Sequence, residues 1–313
     1  MKIEREDVLR FIESHESFLL VGHIHPDGDD IGSICALHNV LRAMGKHADM
    51  VIGDAVPERF HFLETARKIG TAVPEGVRYD ALIFTDLSNI ERGGDFDFPK
   101  ADSLCIDHHI SNTEYTDLLW LRADYAATAE MLAELFLEHG LPMDSDAKNA
   151  LYMGIGTDSG FFKFSNTSAH TLLMASRLVA AGARPDFISN HLDVTTKTSM
   201  DVYRRVLDTL HYACGGKIGV AAMDETSMEM DGENSDYYVS IPRRVEGVEI
   251  GVLLKADGPE TTRLSIRSRE YANVSELASR FGGGGHVCAA GCTIPLPLAE
   301  AEKAFLAEAE KYI

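Results

Sequence analysis

The sequence predicts an α/β protein of two domains, an N-terminal parallel sheet with flanking helices followed by a smaller C-terminal α+β domain. Its 313 residues are more than a single hydrophobic core usually organises. The first half alternates short apolar runs with helical patterns, which indicates parallel strands connected by helices. Beyond residue 181 this alternation stops, and three strands are predicted between residues 217 and 267.

The first domain is expected to begin with an amphipathic helix and then to alternate strands with helices. The strands are predicted at residues 18–21, 48–52, 81–85 and 103–106. The later helices are predicted at residues 30–44, 126–139, 145–154 and 168–181. Several strands end directly in polar residues, and the carboxyl ends of parallel strands line the ligand crevice of an open sheet. Three polar clusters should therefore converge at one edge.

The second half is expected to start with connecting helices and to continue as a small mixed domain. The connecting helices are predicted at residues 183–199 and 200–210. Strands are predicted at 219–223, 248–255 and 263–267, then a helix at 274–281, a glycine run, a short strand and a helix from residue 298. We therefore expect a first domain over residues 1–190, a helical linker over 191–214 and a second domain over 215–313.

Charge and composition restrict the function and the compartment. The formal net charge of −20 weighs against long nucleic acid as a partner, because phosphate neutralisation requires a basic face. No apolar run approaches the roughly 18 to 20 residues that cross a bilayer, so no membrane partner is expected. The N-terminus lacks the features of a signal peptide. The odd number of cysteines, five, argues for a reducing compartment. We expect a cytoplasmic protein.

The segment GHIHPDGDDIGS places His23, Asp27 and Asp29 within seven residues, directly after a predicted strand. Imidazole and carboxylate together suit manganese better than magnesium. The proline and glycine of this segment favour a tight turn that lets successive carboxylates point inward. An ordinary acidic turn with a helix cap explains Asp30 but not the other three residues together.

Three further polar clusters follow predicted secondary structure. Asp86 ends the apolar run ALIFT, where it could also simply cap the next turn. Asp107, His108 and His109 end the run SLCI. Neighbouring residues on a strand point to opposite sides, so we expect one histidine to be a ligand and the other to face the substrate. Asp158 is expected in a glycine-rich turn after a helix, where backbone can approach a ligand closely.

The second domain contains four consecutive glycines at residues 282–285, followed by His286. Successive glycines let several backbone N–H groups face one anion, so Gly283, Gly284 and Gly285 are predicted to bind phosphate with His286. A flexible linker is the alternative, but the tight bracketing by a helix and an AAG turn disfavours it.

In this order, the four N-terminal motifs (HxxxDxD, a strand-terminal Asp, DHH and TDSG) resemble the DHH phosphoesterase superfamily. The C-terminal GGGGH block is similar to the DHHA1 domain, so the resemblance covers nearly the whole chain. It implies two metal ions, with His23 and Asp27 on one and Asp86 bridging both. The other ion would be held by Asp29, His108 and Asp158.

The resemblance also implies roles beyond metal binding. His109 would stabilise charge on the phosphoryl oxygens, and Asp107 would orient an imidazole. Arg267 and Ser268 match an arginine and a serine that contact substrate before GGGGH, so substrate is expected in a cleft between the domains. The cofactors implied are two divalent cations, manganese in preference to magnesium or cobalt, which activate water for in-line hydrolysis.

Three classes of function are compatible with these motifs. The short two-domain members that the chain resembles, the NrnA type, degrade very short RNA and dephosphorylate pAp, and relatives cleave linear or cyclic dinucleotides. A RecJ-like exonuclease acting on long single strands is disfavoured by the charge of −20. A non-catalytic nucleotide or tRNA module is disfavoured by the complete set of ligand types. A homodimer is suggested by the resemblance alone.

Overall fold

A computed structural model describes residues 1–231 and 235–313. The chain divides into two compact units, Met1–Val194 and Thr195–Ile313. The first contains a parallel sheet with helices and the second a separate mixed sheet, which confirms the predicted fold class. Within the described residues, no helix combines the length and the hydropathy that a membrane span requires.

The first unit is built on a five-stranded sheet in the order β2-β1-β3-β4-β5, with every neighbouring pair parallel. The strands are β1 (Ser17–Val21), β2 (His47–Val51), β3 (Ala81–Thr85), β4 (Asp102–Asp107) and β5 (Leu118–Leu121). The first four were predicted to within about one residue at each end, but β5 was not. Its four residues are too few to show a period, although Leu119 and Trp120 are buried.

Six helices complete the first unit. They are α1 (Arg5–Ser14), α2 (Gly28–Ala43), α3 (Thr128–Glu138), α4 (Ser145–Asp158), α5 (Ala169–Ala180) and α6 (Pro185–Leu192). Two helices are longer than predicted. The first turn of α2 includes Gly28 and Asp29, and α4 continues four residues past Gly154, so Asp158 ends a helix and does not lie in a turn.

Helices α2 and α4 pack closely because both present glycine at their contact. A Cβ at Gly32 would lie 2.4 Å from the carbonyl oxygen of Ala150, which is closer than any real contact. A Cβ at Gly154 would lie 3.0 Å from Oδ1 and 3.3 Å from the Cα of Asp29 in α2. This close approach brings the first turn of α2 near the last turn of α4, so residues far apart in sequence can share one site.

The second unit is built on a six-stranded sheet in the order β10-β11-β9-β8-β7-β6. The strands are β6 (His211–Ala213), β7 (Ile218–Met223), β8 (Ile250–Ala256), β9 (Thr262–Ser268), β10 (Gly284–His286) and β11 (Ala289–Ile294). Among the strands that the structure describes here, β7 and β8 are parallel and the other neighbouring pairs are antiparallel. The helices are α7 (Lys197–Thr209), α8 (Glu225–Asp231), α9 (Ser235–Arg243), α10 (Val274–Ser279) and α11 (Leu298–Ala309). The sequence did not indicate β6, α8 or α9.

Most of the segment 191–214, expected as a linker, lies in the second unit. It forms α7 and β6, and the unit begins at Thr195. Val202 and Val206 of α7 are fully buried in a cluster with Leu253 of β8. An amphipathic helix must bury its apolar face against something, and here the sheet of the second unit provides that surface.

Candidate functional site

The polar residues that follow β1, β3 and β4 meet at the carboxyl edge of the parallel sheet. His23 follows β1, Asp86 directly follows β3, and His108 directly follows β4. Asp27 and Asp29 join them from the start of α2, and Asp158 from the end of α4. These are the six residues predicted as metal ligands: His23, Asp27, Asp29, Asp86, His108 and Asp158.

Asp86 lies between two imidazoles. Its Oδ2 is 3.5 Å from Nε2 of His23, and its Oδ1 is 3.5 Å from Nε2 of His108. Its backbone has φ +57°, a left-handed conformation that non-glycine residues rarely adopt. This conformation turns the carboxylate into the site at the strand end, and Thr128 Oγ1 donates to Oδ1 at 3.0 Å. One carboxylate is thus presented to both histidines.

Two sets of potential ligands flank Asp86 in the described part of the chain. One is His23, Asp27 and Asp86, and the other is Asp29, His108 and Asp158; within each set the ligand atoms lie within 4.8 Å of one another. A third set, Asp86, His108 and His109, meets the same distance limit. The Nδ1 atom of His109 lies 3.5 Å from Asp86 Oδ1 but is already hydrogen-bonded to Asp107 at 2.8 Å. This nitrogen is therefore poorly placed to bind metal.

Both histidines of the first two sets face the carboxylates through Nε2. The Nδ1 atom of His23 lies 2.8 Å from the Ile24 carbonyl, and that of His108 lies 3.3 Å from the Tyr125 carbonyl. A carbonyl only accepts, so in the neutral ring of His108 Nδ1 carries the hydrogen and Nε2 a lone pair. At His23, Nη2 of Arg92, which only donates, also lies 3.2 Å from Nδ1, so these contacts do not fix the tautomer of that ring. The Nε2 atom of His108 is buried without a hydrogen-bond partner, 3.3 Å from Asp158 Oδ2. A lone pair buried among carboxylate oxygens fits a bound cation.

Asp29 is completely buried and is oriented by the start of α3. Its Oδ2 accepts the Thr128 N–H at 2.7 Å, and its Oδ1 accepts the Ala129 N–H at 2.8 Å. Helix α3 has no side-chain cap of its own, since its N-cap residue is Ala127. Asp29 therefore satisfies two N–H groups that the helix leaves unpaired, and the helix fixes the carboxylate in return.

The acidic groups of this site strongly perturb one another. Burial raises the pKa of Asp86 well above its usual value, and the charges of Asp29 and Asp27 raise it further. Burial and the same neighbours raise the pKa of Asp158 to about 8. Burial lowers the pKa of His23 and so favours its neutral form. Crowded carboxylates beside neutral imidazoles form a donor set that divalent cations would stabilise.

Asp107 supports His109 and does not point at the ligand groups. Its Oδ1 accepts from the backbone N–H of His109 at 3.1 Å and from Nδ1 at 2.8 Å, while Asn112 donates to Oδ2 at 2.7 Å. Although burial opposes both shifts, the contact with His109 lowers the pKa of Asp107 and raises that of His109. The imidazole is 35% exposed, and Nε2 is the nitrogen left for a substrate.

Several neighbours of the site were not indicated by the sequence. Thr128 and Asn112 carried no motif, although each hydrogen-bonds a predicted site residue. The cap of α2 is Asp27, which accepts from two backbone N–H groups, so the cap role expected of Asp30 was wrong. Asp30 is fully buried and its Oδ1 accepts the backbone N–H of His23 at 3.3 Å.

In the second unit, the two predicted residues of β9 lie on opposite faces of the sheet. Ser268 is 1% exposed and alternates with Leu264 and Ile266, which are in the core. Arg267 lies on the other face with Arg263, and its Nη1 donates to the Ile266 carbonyl at 3.0 Å. The predicted pair therefore does not present both side chains to one ligand.

The glycine run forms a strand edge instead of an open loop. Residues Gly284–His286 are β10, paired antiparallel with β11. The Gly283 N–H donates to the Ala278 carbonyl at 3.0 Å, so it is not available to an anion. A Cβ at Gly283 or Gly285 would lie 2.2 or 2.4 Å from a carbonyl oxygen of β11. These two glycines are thus required for packing, and His286 is exposed.

A cavity of about 420 Å³ lies beside the glycine run. Its polar lining includes Lys255, Arg263, Ser265 and Thr293. Arg263 is exposed and forms an ion pair with Asp257 at 3.3 Å. None of these residues belongs to a recognisable motif in the sequence, and isolated basic residues on strands are usually solvated surface.

Residues 17–155 match the DHH family, N-terminal domain, and residues 215–313 match the DHHA1 domain. The chain is 32% identical over 293 residues to the bifunctional oligoribonuclease and PAP phosphatase NrnA of Thermus thermophilus, covering 92% of this chain and 86% of that protein. The protein of the same name from Bacillus subtilis is 26% identical over 296 residues, or 93% of each chain. A solved exopolyphosphatase-related protein from Bacteroides fragilis has the same fold, with a TM-score of 0.88, 20% identity and coverage of 98% and 96%.

Proposed function

The chain belongs to the DHH family, in the two-domain form that joins a DHH N-terminal domain to a DHHA1 domain, and we propose that it is a phosphoesterase of short nucleotide substrates. The substrates are short oligoribonucleotides, pAp and linear or cyclic dinucleotides, which are hydrolysed to mononucleotides. Two similar proteins carry the name of oligoribonuclease and PAP phosphatase, which supports this substrate class. We propose a cytoplasmic location because of the odd number of cysteines, and a homodimer on the family resemblance alone.

One observation carries the proposal. The two oxygens of Asp86 face two different imidazole Nε2 atoms, each at 3.5 Å. A carboxylate placed in this way can bridge two cations, with Asp27 and His23 on one side. Asp29, His108 and Asp158 complete the other side. Thr128 Oγ1 donates to Oδ1 at 3.0 Å and holds the carboxylate in this orientation.

The donor set mixes imidazole nitrogen with carboxylate oxygen, which suits manganese better than magnesium, and we propose manganese as the cation, with magnesium and cobalt as the alternatives. Two cations bound there would supply an activated water and neutralise charge on the phosphoryl group. His109 contributes Nε2 as a hydrogen-bond donor to phosphoryl oxygen, and Asp107 keeps its ring oriented for that contact. Both residues act without binding metal themselves.

The second unit is proposed to bind the substrate through cationic and backbone groups. Arg267 and His286 provide positive or donor groups, and Gly284 and Gly285 allow close approach of the backbone. Gly283 and Ser268 would support the strands from within the packing. The cationic cavity lining at Arg263 extends this surface beyond the residues expected from the motif.

The net charge favours this function over that of an exonuclease on long strands. A protein of charge −20 repels a polyanion at a distance, whereas a short substrate requires only a few local cations. A non-catalytic binding module is disfavoured because it would have no use for a complete ligand set with an unpartnered imidazole nitrogen.

A substrate panel tests the proposal. Chelated protein is reloaded with Mn²⁺, Mg²⁺ or Co²⁺ and assayed on pAp, two- to five-residue RNA, linear and cyclic dinucleotides, and long single strands. We expect Mn²⁺-dependent release of mononucleotides or phosphate from the short substrates. Preference for long strands, or no hydrolysis with any cation, would refute the proposed function. The exposed variant Asp97→Asn serves as a control for loss of a carboxylate outside the site.

A further inference from the structure

A five-residue segment, residues 125–129 with the sequence YAATA, contacts three of the six proposed ligands. The carbonyl of Tyr125 lies 3.3 Å from Nδ1 of His108. Thr128 donates its N–H to Asp29 at 2.7 Å and its hydroxyl to Asp86 at 3.0 Å. The Ala129 N–H completes the support of Asp29 at 2.8 Å. The segment 125–129 thus fixes the orientation of one imidazole and two carboxylates.

A buried carboxylate holds this segment from behind. Glu130 is 0% exposed, and its Oε2 accepts the Ala126 N–H at 2.9 Å and the hydroxyl of Thr171 at 3.0 Å. Its Oε1 lies 2.6 Å from Nδ1 of His170. From another side, Asn166 donates to the carbonyl of Ala126 at 3.3 Å and to that of Asp158 at 3.1 Å.

The stability of the start of α3 does not by itself explain a buried carboxylate at this position. Removing a carboxylate from water is unfavourable, and a buried ion pair often contributes less stability than apolar side chains of the same volume. A serine or aspartate at the N-cap could have capped α3 locally, but this buried position holds Ala127. Glu130 accepts the Ala126 N–H and so fixes the position of Ala126, within the segment that orients the ligands.

We propose that Glu130, held by His170 and Thr171, is a positioning residue that fixes segment 125–129 and thereby preorganises Asp29, Asp86 and His108 for cation binding. The inference rests on the proposed metal centre. It concerns the affinity of that centre for cations, because groups that orient metal ligands typically contribute roughly 10- to 100-fold to affinity or activity.

Two substitutions of Glu130 distinguish the effect of its hydrogen bonds from the effect of its side-chain volume. Glu130→Gln keeps an acceptor for the Ala126 N–H, while its amide can donate to His170 in the other ring tautomer. Glu130→Met keeps similar volume but leaves the Ala126 N–H unpaired. Glu138→Met is the matched control, because Glu138 is on the same helix, pairs with Arg5 and has no described contact with the segment. Each purified, chelated variant is titrated with Mn²⁺ by calorimetry, and its thermal unfolding is measured without metal.

We expect Glu130→Met to bind Mn²⁺ roughly 10- to 100-fold more weakly, with kcat restored by excess Mn²⁺, and Glu130→Gln to bind it nearly as wild type does. An unchanged Mn²⁺ affinity in Glu130→Met overturns the proposal, whatever the change in unfolding temperature. If that variant does not fold, Thr171→Val keeps the shape of the side chain but removes the hydroxyl that donates to Glu130. It should weaken Mn²⁺ binding several-fold, and an unchanged affinity there also overturns the proposal.

The same titrations distinguish this inference from the proposed function. Wild-type protein that binds Mn²⁺ but hydrolyses none of the short substrates refutes the function, while the comparison of variants still tests Glu130. Wild-type protein that binds no divalent cation at all overturns both.

Discussion

Asp86 has a left-handed backbone, at φ +57°, in a position where glycine would be easier to accommodate. Glycine would relieve the strain but remove the carboxylate that faces both His23 and His108. Asparagine adopts the left-handed region at least as readily as aspartate and has nearly the same shape. The position therefore allows a substitution that removes charge with little change in geometry.

We predict that Asp86→Asn lowers kcat at least roughly 100-fold while raising the unfolding temperature of the metal-free protein. Activity falls because the shared anionic ligand is lost, and stability rises because one member of a crowded carboxylate group becomes neutral. Steady-state assays with saturating Mn²⁺ and differential scanning fluorimetry measure the two effects. Near-normal Mn²⁺-dependent turnover would contradict the assignment of Asp86 as a bridging ligand.

The raised pKa values of the site predict how metal stabilises the protein at different pH. In metal-free folded protein the pKa of Asp158 is about 8, against 3.8 in its ordinary state. The unfolded chain loses this proton at lower pH, so the metal-free fold loses stability as pH rises from about 4 to 8. Asp86 shifts in the same direction. A bound cation replaces the proton and removes the penalty.

We therefore expect the increase in unfolding temperature on adding Mn²⁺ to be larger at about pH 8 than at about pH 5.5. Fluorimetry of chelated and Mn²⁺-loaded protein across this range measures the difference. The exposed variant Asp97→Asn should show the same trend as wild type, and Asp86→Asn a weaker one. A stabilisation by Mn²⁺ that is constant or greater at low pH would show that these carboxylates do not bind the cation.

The side chains of the candidate site could be proposed from sequence because metal ligands carry distinctive chemistry and strand ends converge predictably. His23, Asp86 and His108 each follow an apolar run. Predicting the parallel sheet correctly was therefore enough to predict that these side chains lie close together. Thr128 could not be identified in this way, since its support of Asp29 comes from a backbone N–H that any residue has. The role of the buried Glu130 could not be predicted either, because in the sequence it is an ordinary helical glutamate.

At the scale of elements, the site depends on how closely α2 and α4 approach. Helix α4 was predicted to end at Gly154, with the next glycines in a turn, because glycine disfavours a helix interior. In the structure Gly154 lies inside α4, where a Cβ would meet Ala129 at 2.6 Å and Asp29 Oδ1 at 3.0 Å. Helix propensity was here overridden by packing, which a single sequence does not show.

We predict that Gly154→Ala destabilises the protein by about 1–3 kcal/mol despite the better helix propensity of alanine, and also weakens Mn²⁺ binding. The added methyl group displaces both α3 and the carboxylate of Asp29. Gly156→Ala is the matched control in the same helix, because the atoms nearest to its Cβ would belong to the Phe161 ring, at 3.1 Å and beyond. Chemical unfolding and calorimetry should show a larger loss for Gly154→Ala on both measures; equal losses would refute this packing argument.

The second sheet shows where motif patterns and structure diverge. The glycine run suggested an open anion loop, but consecutive glycines suit a tightly packed strand equally well, and here they pair with β11. Arg267 and Ser268 are adjacent in the motif, yet strand alternation places them on opposite faces. Of these two, only Arg267 projects from the face that also carries Arg263.

We predict that Arg267→Met raises the dissociation constant for pAp roughly 10-fold, because it removes a charge-assisted contact to phosphate. Binding is measured directly in the Asp86→Asn background, which avoids interpreting KM as affinity. Arg280→Met, an exposed arginine of the same unit, is the control and should have no effect. Equal affinity in the Arg267→Met and control proteins would remove Arg267 from the proposed substrate surface.

At the scale of the whole molecule, the charge of −20 sets the behaviour towards polyanions. A protein that holds long nucleic acid through many phosphate contacts loses roughly 10³- to 10⁵-fold in affinity between about 50 and 200 mM salt. A short substrate held by cations in one site and a few basic side chains releases few counterions. Screening also weakens its long-range repulsion from an acidic surface.

We therefore predict that kcat/KM for pAp and for two- to five-residue RNA changes less than about 10-fold between 50 and 200 mM KCl. The measurement uses saturating Mn²⁺, so that salt does not act through loss of the cation. Under the same conditions, long single-stranded RNA should compete only weakly. The few basic side chains of the proposed substrate surface would have to offset the repulsion between a polyanion and the negative charge of the whole protein. A steep loss of activity with salt, together with strong competition by long RNA, would instead indicate an extended basic path and favour the exonuclease function.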